Sequence, residues 1–115
     1  MPINSKQKGN TKINSRAKGT QGEREFAKLL QKFGYFNARR GVQYSGANGD
    51  ADVIGGPEGF HFEIKRVERL NIYDAVDQSK RDARDGEKPV VAHRKNRREW
   101  LITMPADVFF GIIKK

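Results

Sequence analysis

The spacing of hydrophobic side chains in the first third of the chain predicts an amphipathic helix. Its apolar positions are Phe26, Leu29, Leu30 and Phe33. They recur every three or four residues, which places them on one face of a helix. Thr20 and Glu23 have the spacing of a capping box at its start, and Gly34 supplies a stop at its end. We therefore predict a first helix from about Gln21 to Phe33.

Five later segments have the shorter pattern that is typical of β-strands. They are Tyr35 to Gln43, Ala51 to Ile54, Phe60 to Val67, Lys88 to His93 and Glu99 to Met104. Glycines and a proline separate the second segment from the third, and such a turn favours antiparallel pairing of the two strands. Along the third strand two kinds of residue alternate, with Phe60, Phe62 and Ile64 on one face and His61, Glu63, Lys65 and Val67 on the other. One face is therefore expected in the core, and the other carries charge.

Two further amphipathic segments complete the predicted fold. Ile72 to Arg84 has the spacing of a second helix, and Pro105 is a suitable first residue for a short last helix. The predicted order is α-β-β-β-α-β-β-α. A central mixed β-sheet flanked by helices, of α/β class, would bury the apolar faces of these elements.

The first 19 residues differ in composition from the rest. Their basic residues are Lys6, Lys8, Lys12, Arg16 and Lys18, and no acidic residue accompanies them. With so few apolar side chains the segment cannot form a core, so we expect a flexible basic arm over 1–19 and a single domain over 20–115.

The overall charge indicates what kind of partner the chain binds. A formal net charge of +9 favours an anionic partner, either nucleic acid or a membrane surface. No apolar run is long enough to span a bilayer, and the basic arm lacks the large apolar residues of a membrane-surface helix. The chain has no cysteine, which excludes a zinc finger and a thiol nucleophile and fits a cytoplasmic protein. Nucleic acid is the expected partner.

The candidate chemistry is concentrated on the second and third predicted strands. Asp52 begins the second strand, and Glu63 and Lys65 lie on the charged face of the third. Two neighbouring carboxylates repel each other unless a cation lies between them, and Mg²⁺ prefers oxygen ligands, with Mn²⁺ as a substitute. Lys65 would stand beside a metal-bound water or an anionic transition state. The pattern predicts metal-dependent phosphodiester cleavage.

Glu23 has two competing interpretations. At 100° per residue it falls beside Leu30 on the apolar stripe of the first helix, whereas Glu25 points to the opposite side. As the fourth residue of a capping box, Glu23 could satisfy a backbone N–H at the helix start. Alternatively, it reaches the metal as a third carboxylate.

Together these residues resemble a known nuclease family. Asp52 followed by Glu63, Ile64 and Lys65 looks like the PD-(D/E)xK signature, with Ala51 in place of the usual proline. The stretch KGTQGERE at 18–25 resembles the opening of archaeal-type Holliday-junction resolvases and their phage-borne relatives. The likeness extends over roughly 16–111.

The resemblance implies further expectations about the site and the fold. In that family the residues matching Glu23, Asp52, Glu63 and Lys65 are metal ligands and catalytic residues, and a serine matching Ser45 assists. The likeness also includes Gln78 in the second helix. It implies a restriction-endonuclease-like fold, a homodimer, and paired nicks in a four-way DNA junction, in the host cytoplasm if the protein is phage-borne.

Clustered basic residues are the expected DNA contacts, because lysine and arginine release counterions from phosphates. They are Lys12, Arg16, Lys18, Arg39, Arg40, Arg94, Lys95, Arg97 and Arg98. Asp50 is expected as a turn residue, with a role as an extra ligand as the alternative. His61 and His93 are expected to be structural or exposed, without a partner at metal-ligand spacing.

Two other functions fit the same sequence. A nuclease of this fold could act on flaps, nicked DNA or plain duplex instead of junctions. In a different class, a non-catalytic basic module could bind nucleic acid and keep these carboxylates for folding alone.

Overall fold

The computed structural model describes residues 19–41 and 52–114, which contain three helices and five strands. In chain order the elements are α1 (19–32), β1 (Arg39–Arg40), β2 (Val53–Ile54), β3 (Phe60–Arg66), α2 (Ile72–Asp82), β4 (Lys88–Arg94), β5 (Leu101–Thr103) and α3 (Ala106–Ile113). The α/β class and the predicted element order are confirmed. Within the described residues the first strand is only two residues long, because turns occupy most of residues 33–37. The predicted N-terminal arm lies outside these ranges, apart from its last residue.

Within the described residues the strands form two sheets, so the single central sheet of the prediction is not observed there. β1 and β2 pair antiparallel, and β3, β4 and β5 form a three-stranded mixed sheet. The expected hairpin between β2 and β3 is also wrong among the residues described. A side chain explains the missing ladder: Asp52 Oδ2 accepts a hydrogen bond of 2.9 Å from the Ile64 N–H, which a neighbouring strand would otherwise use.

Helix α2 is the crossover that makes β3 and β4 parallel. β3 runs alongside β4 with Glu63 opposite Val91, and a parallel pair needs a connection of this length. Asn71 caps the helix by accepting a hydrogen bond from the Asp74 N–H at 3.1 Å. β4 and β5 then pair antiparallel, as their predicted hairpin requires, with Ala92 opposite Ile102.

The hydrophobic core lies between α1 and one face of the three-stranded sheet. The Phe26 ring of α1 stands 5.4 Å from Phe62 and 5.2 Å from Trp100, measured between ring centres. Leu30 and Ile64 are buried in the same cluster. The apolar stripe of α1 and the apolar face of β3 therefore pack against each other as predicted.

The opposite face of the sheet is buried as well, under α2. Ser79 of this helix is fully buried, and its hydroxyl donates a hydrogen bond of 3.1 Å to the Val90 carbonyl. Beneath the helix, His61 and Glu63 are only 1% and 3% exposed. On this face of β3, His61 and Glu63 form a protected polar layer and have lost most of their contact with water, whereas Lys65 stays partly exposed.

Gly22 allows α1 to approach β3 closely. A Cβ atom at this position would lie 2.8 Å from the Arg66 Cβ, closer than side-chain carbons pack. The close approach brings the start of α1, with Glu23 and Glu25, to the end of the sheet where the charged residues lie.

Helix α3 packs differently from the other two helices. It contains no buried residue, and Phe109, Phe110 and Ile113 are 46%, 62% and 59% exposed. No helix in the described ranges is long and apolar enough to cross a membrane.

Candidate active site

The structure brings Asp52 next to the charged face of β3. Its carboxylate is bound to the N–H of Ile64, the residue between Glu63 and Lys65. The backbone hydrogen bond fixes the position of Asp52 at the edge of the sheet, although no ladder joins β2 to β3. The predicted association of these three residues is present, by a side-chain contact instead of strand pairing.

Glu63 and Lys65 form a short polar row on β3. Lys65 Nζ lies 3.5 Å from Glu63 Oε2 and donates a hydrogen bond of 3.1 Å to Gln78 Oε1 on α2. Gln78, which sequence resemblance alone suggested, therefore holds the amine of the candidate catalytic lysine. The lysine is partly exposed, so its amine can meet a ligand from solvent.

The surroundings of Asp52 disfavour the charged form of its carboxyl group. Burial of its carboxyl, followed by the negative charge of Glu63, raises the pKa of Asp52 to about 7. Glu23 adds to this effect, whereas the Ile64 N–H and the charge of Lys65 oppose it. A divalent cation beside these carboxylates would remove the repulsion, and an all-oxygen donor set suits Mg²⁺.

Glu23 lies near this cluster but has a partner of its own. Its Oε1 accepts a hydrogen bond of 2.8 Å from Arg40 Nε, and its charge acts on Asp52. Thr20 is already helical, as is Gly19, so the interpretation of Thr20 as the N-cap is wrong. This removes the capping-box explanation for Glu23 and leaves it as a carboxylate at the rim of the site.

Several predicted site residues fall outside the described ranges. They are Ser45, Asp50, Lys12, Arg16 and Lys18.

The basic residues that are described divide into two groups. Arg40 is paired with Glu23, and Arg94 lies 3.4 Å from Glu25 and over the ring of Trp100. Arg98 contacts the neighbouring Glu99. By contrast, Lys95 and Arg97 are exposed at the tip of the loop between β4 and β5, and Arg39 is exposed on β1.

An open groove beside Lys65 contains cations that the sequence analysis overlooked. It is lined by Lys65, Gln78, Arg69 and Arg81, among other residues, and by the acidic Asp74 and Asp77. Arg69 and Arg81 were not among the expected DNA contacts, but α2 and the segment before it bring both to the groove next to the candidate catalytic lysine. Only the three-dimensional packing of α2 on β3 reveals this.

His61 lies in the polar layer, as strand alternation predicted, but contrary to expectation it has neighbours at metal-ligand spacing. Its Nε2 lies 3.7 Å from Glu63 Oε1, and together with Asp82 of α2 these residues place three ligand atoms within 4.8 Å of one another. Strand alternation places His61 with Glu63, and the four-residue spacing of Gln78 and Asp82 places both on one face of α2. Each periodicity could be read from the sequence. Predicting that Asp82 lies near His61 and Glu63 also requires the position of α2 along β3, which the sequence pattern does not give.

Comparisons with known proteins identify no relative. No family model matches the chain, and no curated protein or solved structure matches it at a significant level. The nuclease family therefore stays a prediction that depends on the residues of the motif.

Proposed function

We propose that this chain is a Mg²⁺-dependent, structure-selective DNA endonuclease of the Holliday-junction resolvase type, with a restriction-endonuclease-like fold. The observation that carries the proposal is the attachment of Asp52 to the Ile64 N–H, between Glu63 and Lys65. It brings two acids and one amine from separate strands to one edge of the sheet, in the order that the nuclease motif requires.

The chain's own groups have distinct tasks in this proposal. Asp52 and Glu63 hold the metal, with Glu23 as a third carboxylate at the rim. The bound cation supplies an activated water and a Lewis acid for the phosphodiester. Lys65, held by Gln78, presents its amine to the attacking water or to the charge that develops on the phosphate. Ser45, which lies outside the described residues, is proposed to assist on the strength of the family resemblance alone.

The distribution of charge supports DNA as the substrate. The net charge is +9, although the candidate site itself is acidic. Arg69 and Arg81 flank the groove next to Lys65 and suit contacts with the phosphate backbone. Arg97 has a φ of 62°, a conformation that is unfavourable for a residue with a side chain, and strain of this kind is concentrated at functional loops. A cytoplasmic location is part of this proposal.

The proposal of a four-way junction as the substrate rests on the family resemblance, which also implies a homodimer. A junction has two-fold symmetry, and two active sites are needed for paired nicks. The exposed phenylalanines of α3 provide an apolar surface for association with a second copy.

One assay tests both the chemistry and the substrate. The full chain is incubated with a four-way junction, a flap and a linear duplex, each with and without Mg²⁺. We expect cleavage of the junction only with Mg²⁺, and loss of cleavage in Glu63→Gln but not in Glu99→Gln, which changes an exposed glutamate. Cleavage that survives Glu63→Gln would overturn the site assignment. Excess unlabelled duplex that inhibits as well as unlabelled junction would favour a duplex or flap nuclease, and DNA binding without any cleavage would favour a non-catalytic module.

A further inference from the structure

His61 is an unusual side chain for a protein interior. It is 1% exposed, and among residues 19–41 and 52–114 neither of its ring nitrogens has a hydrogen-bond partner. A buried polar nitrogen without a partner is costly, and buried polar atoms are nearly always satisfied by protein, water or an ion. A further ligand, such as a metal ion, is therefore expected to bind this ring.

Among the described residues, the charged groups that face the ring nitrogens are carboxylates. Nε2 faces Glu63 Oε1 at 3.7 Å, and Nδ1 faces Glu87 Oε1 at 4.0 Å. Asp82, near the end of α2, completes a set of three ligand atoms with His61 and Glu63, all within 4.8 Å of one another. These separations exceed hydrogen-bond length. Two ligands bound to the same zinc ion in tetrahedral geometry lie about 3.4 Å apart, which is close to the separation observed between His61 and Glu63.

We infer that His61, Glu63 and Asp82 form a second metal site, one that takes an imidazole-binding divalent transition-metal ion such as Zn²⁺. The nitrogen ligand separates this site chemically from the Asp52 side, where the donors are oxygen atoms alone. Glu87 is suitably placed to orient the ring through its other nitrogen, as carboxylates commonly do for metal-bound histidine.

Glu63 connects the two sites. Its Oε2 is directed to Lys65 and its Oε1 to His61, so the two oxygens serve different neighbours. An ion bound at Oε1 would attach the C-terminal end of α2 to β3 and leave Oε2 directed toward the candidate catalytic lysine. The inference does not rest on nuclease activity, because metal binding is measured on the protein without DNA.

The test uses the full chain and Zn²⁺ alone. The sequence has two histidines, so ring-nitrogen NMR signals give one resonance set for the proposed ligand and one for an internal reference. The reference is His93, whose Nε2 is hydrogen-bonded to Thr103 Oγ1 at 2.8 Å. We expect Zn²⁺ to shift the His61 ring nitrogens and not those of His93, with a saturable binding curve in calorimetry.

Variants determine whether the inference holds. Asp82→Asn keeps the side-chain volume at a half-buried position and should weaken Zn²⁺ binding at least about tenfold. His61→Gln should abolish the binding, and Asp77→Asn, an exposed change on the same helix, should leave it unaltered. Absence of Zn²⁺ binding to the wild-type chain would overturn the inference, as would binding that persists in Asp82→Asn or shifts only His93. A chain that cleaves no DNA but binds Zn²⁺ in this way would overturn the nuclease proposal alone.

Discussion

Gln78 on α2 accepts a hydrogen bond of 3.1 Å from Lys65 on β3, and this contact joins the crossover helix to the candidate catalytic amine. The lysine would otherwise have a long flexible side chain with many rotamers. Its other close contact is Glu63 Oε2 at 3.5 Å. The position of the amine therefore depends on the packing of α2 as well as on the strand that carries it.

Replacing Lys65 and replacing Gln78 should both slow DNA cleavage, but the loss should be larger for Lys65. Lys65→Ala removes the amine and should reduce the single-turnover rate by about 10²- to 10³-fold. Gln78→Ala only releases it, and a reduction of about 10- to 100-fold is expected. Junction cleavage under single-turnover conditions measures both. Tyr73→Ala, at an exposed position of α2 that does not line the groove beside Lys65, is the matched control, and equal losses in it and in Gln78→Ala would contradict the positioning role.

The stability of the metal-free protein should depend on pH through Asp52. Its pKa is raised to about 7 from an ordinary value near 3.8, so the folded state binds this proton more tightly than the unfolded state. The contribution of this proton to the free energy of unfolding is fully present below about pH 4 and is lost as the pH rises through about 7. Asp52→Asn keeps the shape of the side chain and should be more stable than wild type at pH 8, by on the order of 2–4 kcal/mol.

Urea unfolding at pH 5 and pH 8 without metal measures this difference. Asp85→Asn, an exposed change, should retain the wild-type pH dependence. His61 contributes in the same direction: burial lowers its pKa, but the nearby Glu63 and Glu87 outweigh burial and raise it. A slope that is identical in Asp52→Asn and wild type would show that Asp52 does not titrate in this range.

Two glutamates that lie two residues apart on α1, on opposite sides of the helix, should have separable roles. Glu25 Oε1 contacts Arg66 at 3.0 Å and Arg94 at 3.4 Å, so Glu25→Gln should lower the free energy of unfolding by about 1 kcal/mol. Glu23→Gln should instead raise the Mg²⁺ concentration needed for half-maximal cleavage. Urea unfolding and Mg²⁺ titrations of both variants check the pair. A Mg²⁺ requirement that changes only in Glu25→Gln would contradict the assignment of Glu23.

Basic residues near the β4–β5 loop should differ in their effect on DNA binding. Arg97→Gly relieves the positive φ and should not destabilise the protein, but it should reduce the slope of log affinity against log salt by about 0.9. Arg94→Ala breaks the contact with Glu25 and should destabilise the fold, with a smaller effect on the salt slope. Junction binding at several salt concentrations measures the slopes. Equal slopes for wild type and Arg97→Gly would exclude this loop from phosphate contact.

A homodimer formed through α3 should dissociate when its exposed apolar surface is charged. Phe110 is 62% exposed, and Phe110→Glu should convert the dimer to a monomer of unchanged secondary structure. Light scattering during size-exclusion chromatography determines the mass. Phe36→Glu, at an 82% exposed position after α1, is the control and should remain dimeric. A wild-type chain that is already monomeric would contradict the proposed assembly.

Local periodicity predicted most of the helices and strands, and it predicted which residues lie on each of their faces. The spacing of Phe26 and Leu30 identified the buried stripe of α1, and strand alternation placed Glu63 and Lys65 on the same side of β3. These signals are reliable because they depend on neighbours in sequence. For the same reason the association of Asp52 with this strand could be predicted across one turn.

Relationships between distant segments could not be predicted in the same way. The turn before β3 suggested a hairpin, but the bond from Ile64 N–H to Asp52 and the parallel partner β4 replace that ladder. The approach of Asp82 to His61 depends on how far α2 is shifted along the sheet, which no local pattern specifies. The ion-pair partners of the arginines could not be predicted either, since Arg94 and Glu25 lie 69 residues apart in sequence.

The hydrogen bond from Ile64 to Asp52 has a consequence for how the protein behaves in concentrated solution. β3 is an outer strand of its sheet, and an outer strand with free N–H groups can recruit a strand from another molecule. The Asp52 carboxyl group occupies one of these N–H groups, and above about pH 7 it also brings negative charge to the edge. The side chain that we assign to the metal thus also protects the sheet from edge-to-edge aggregation, so the acidity of the site and the solubility of the fold depend on the same residue.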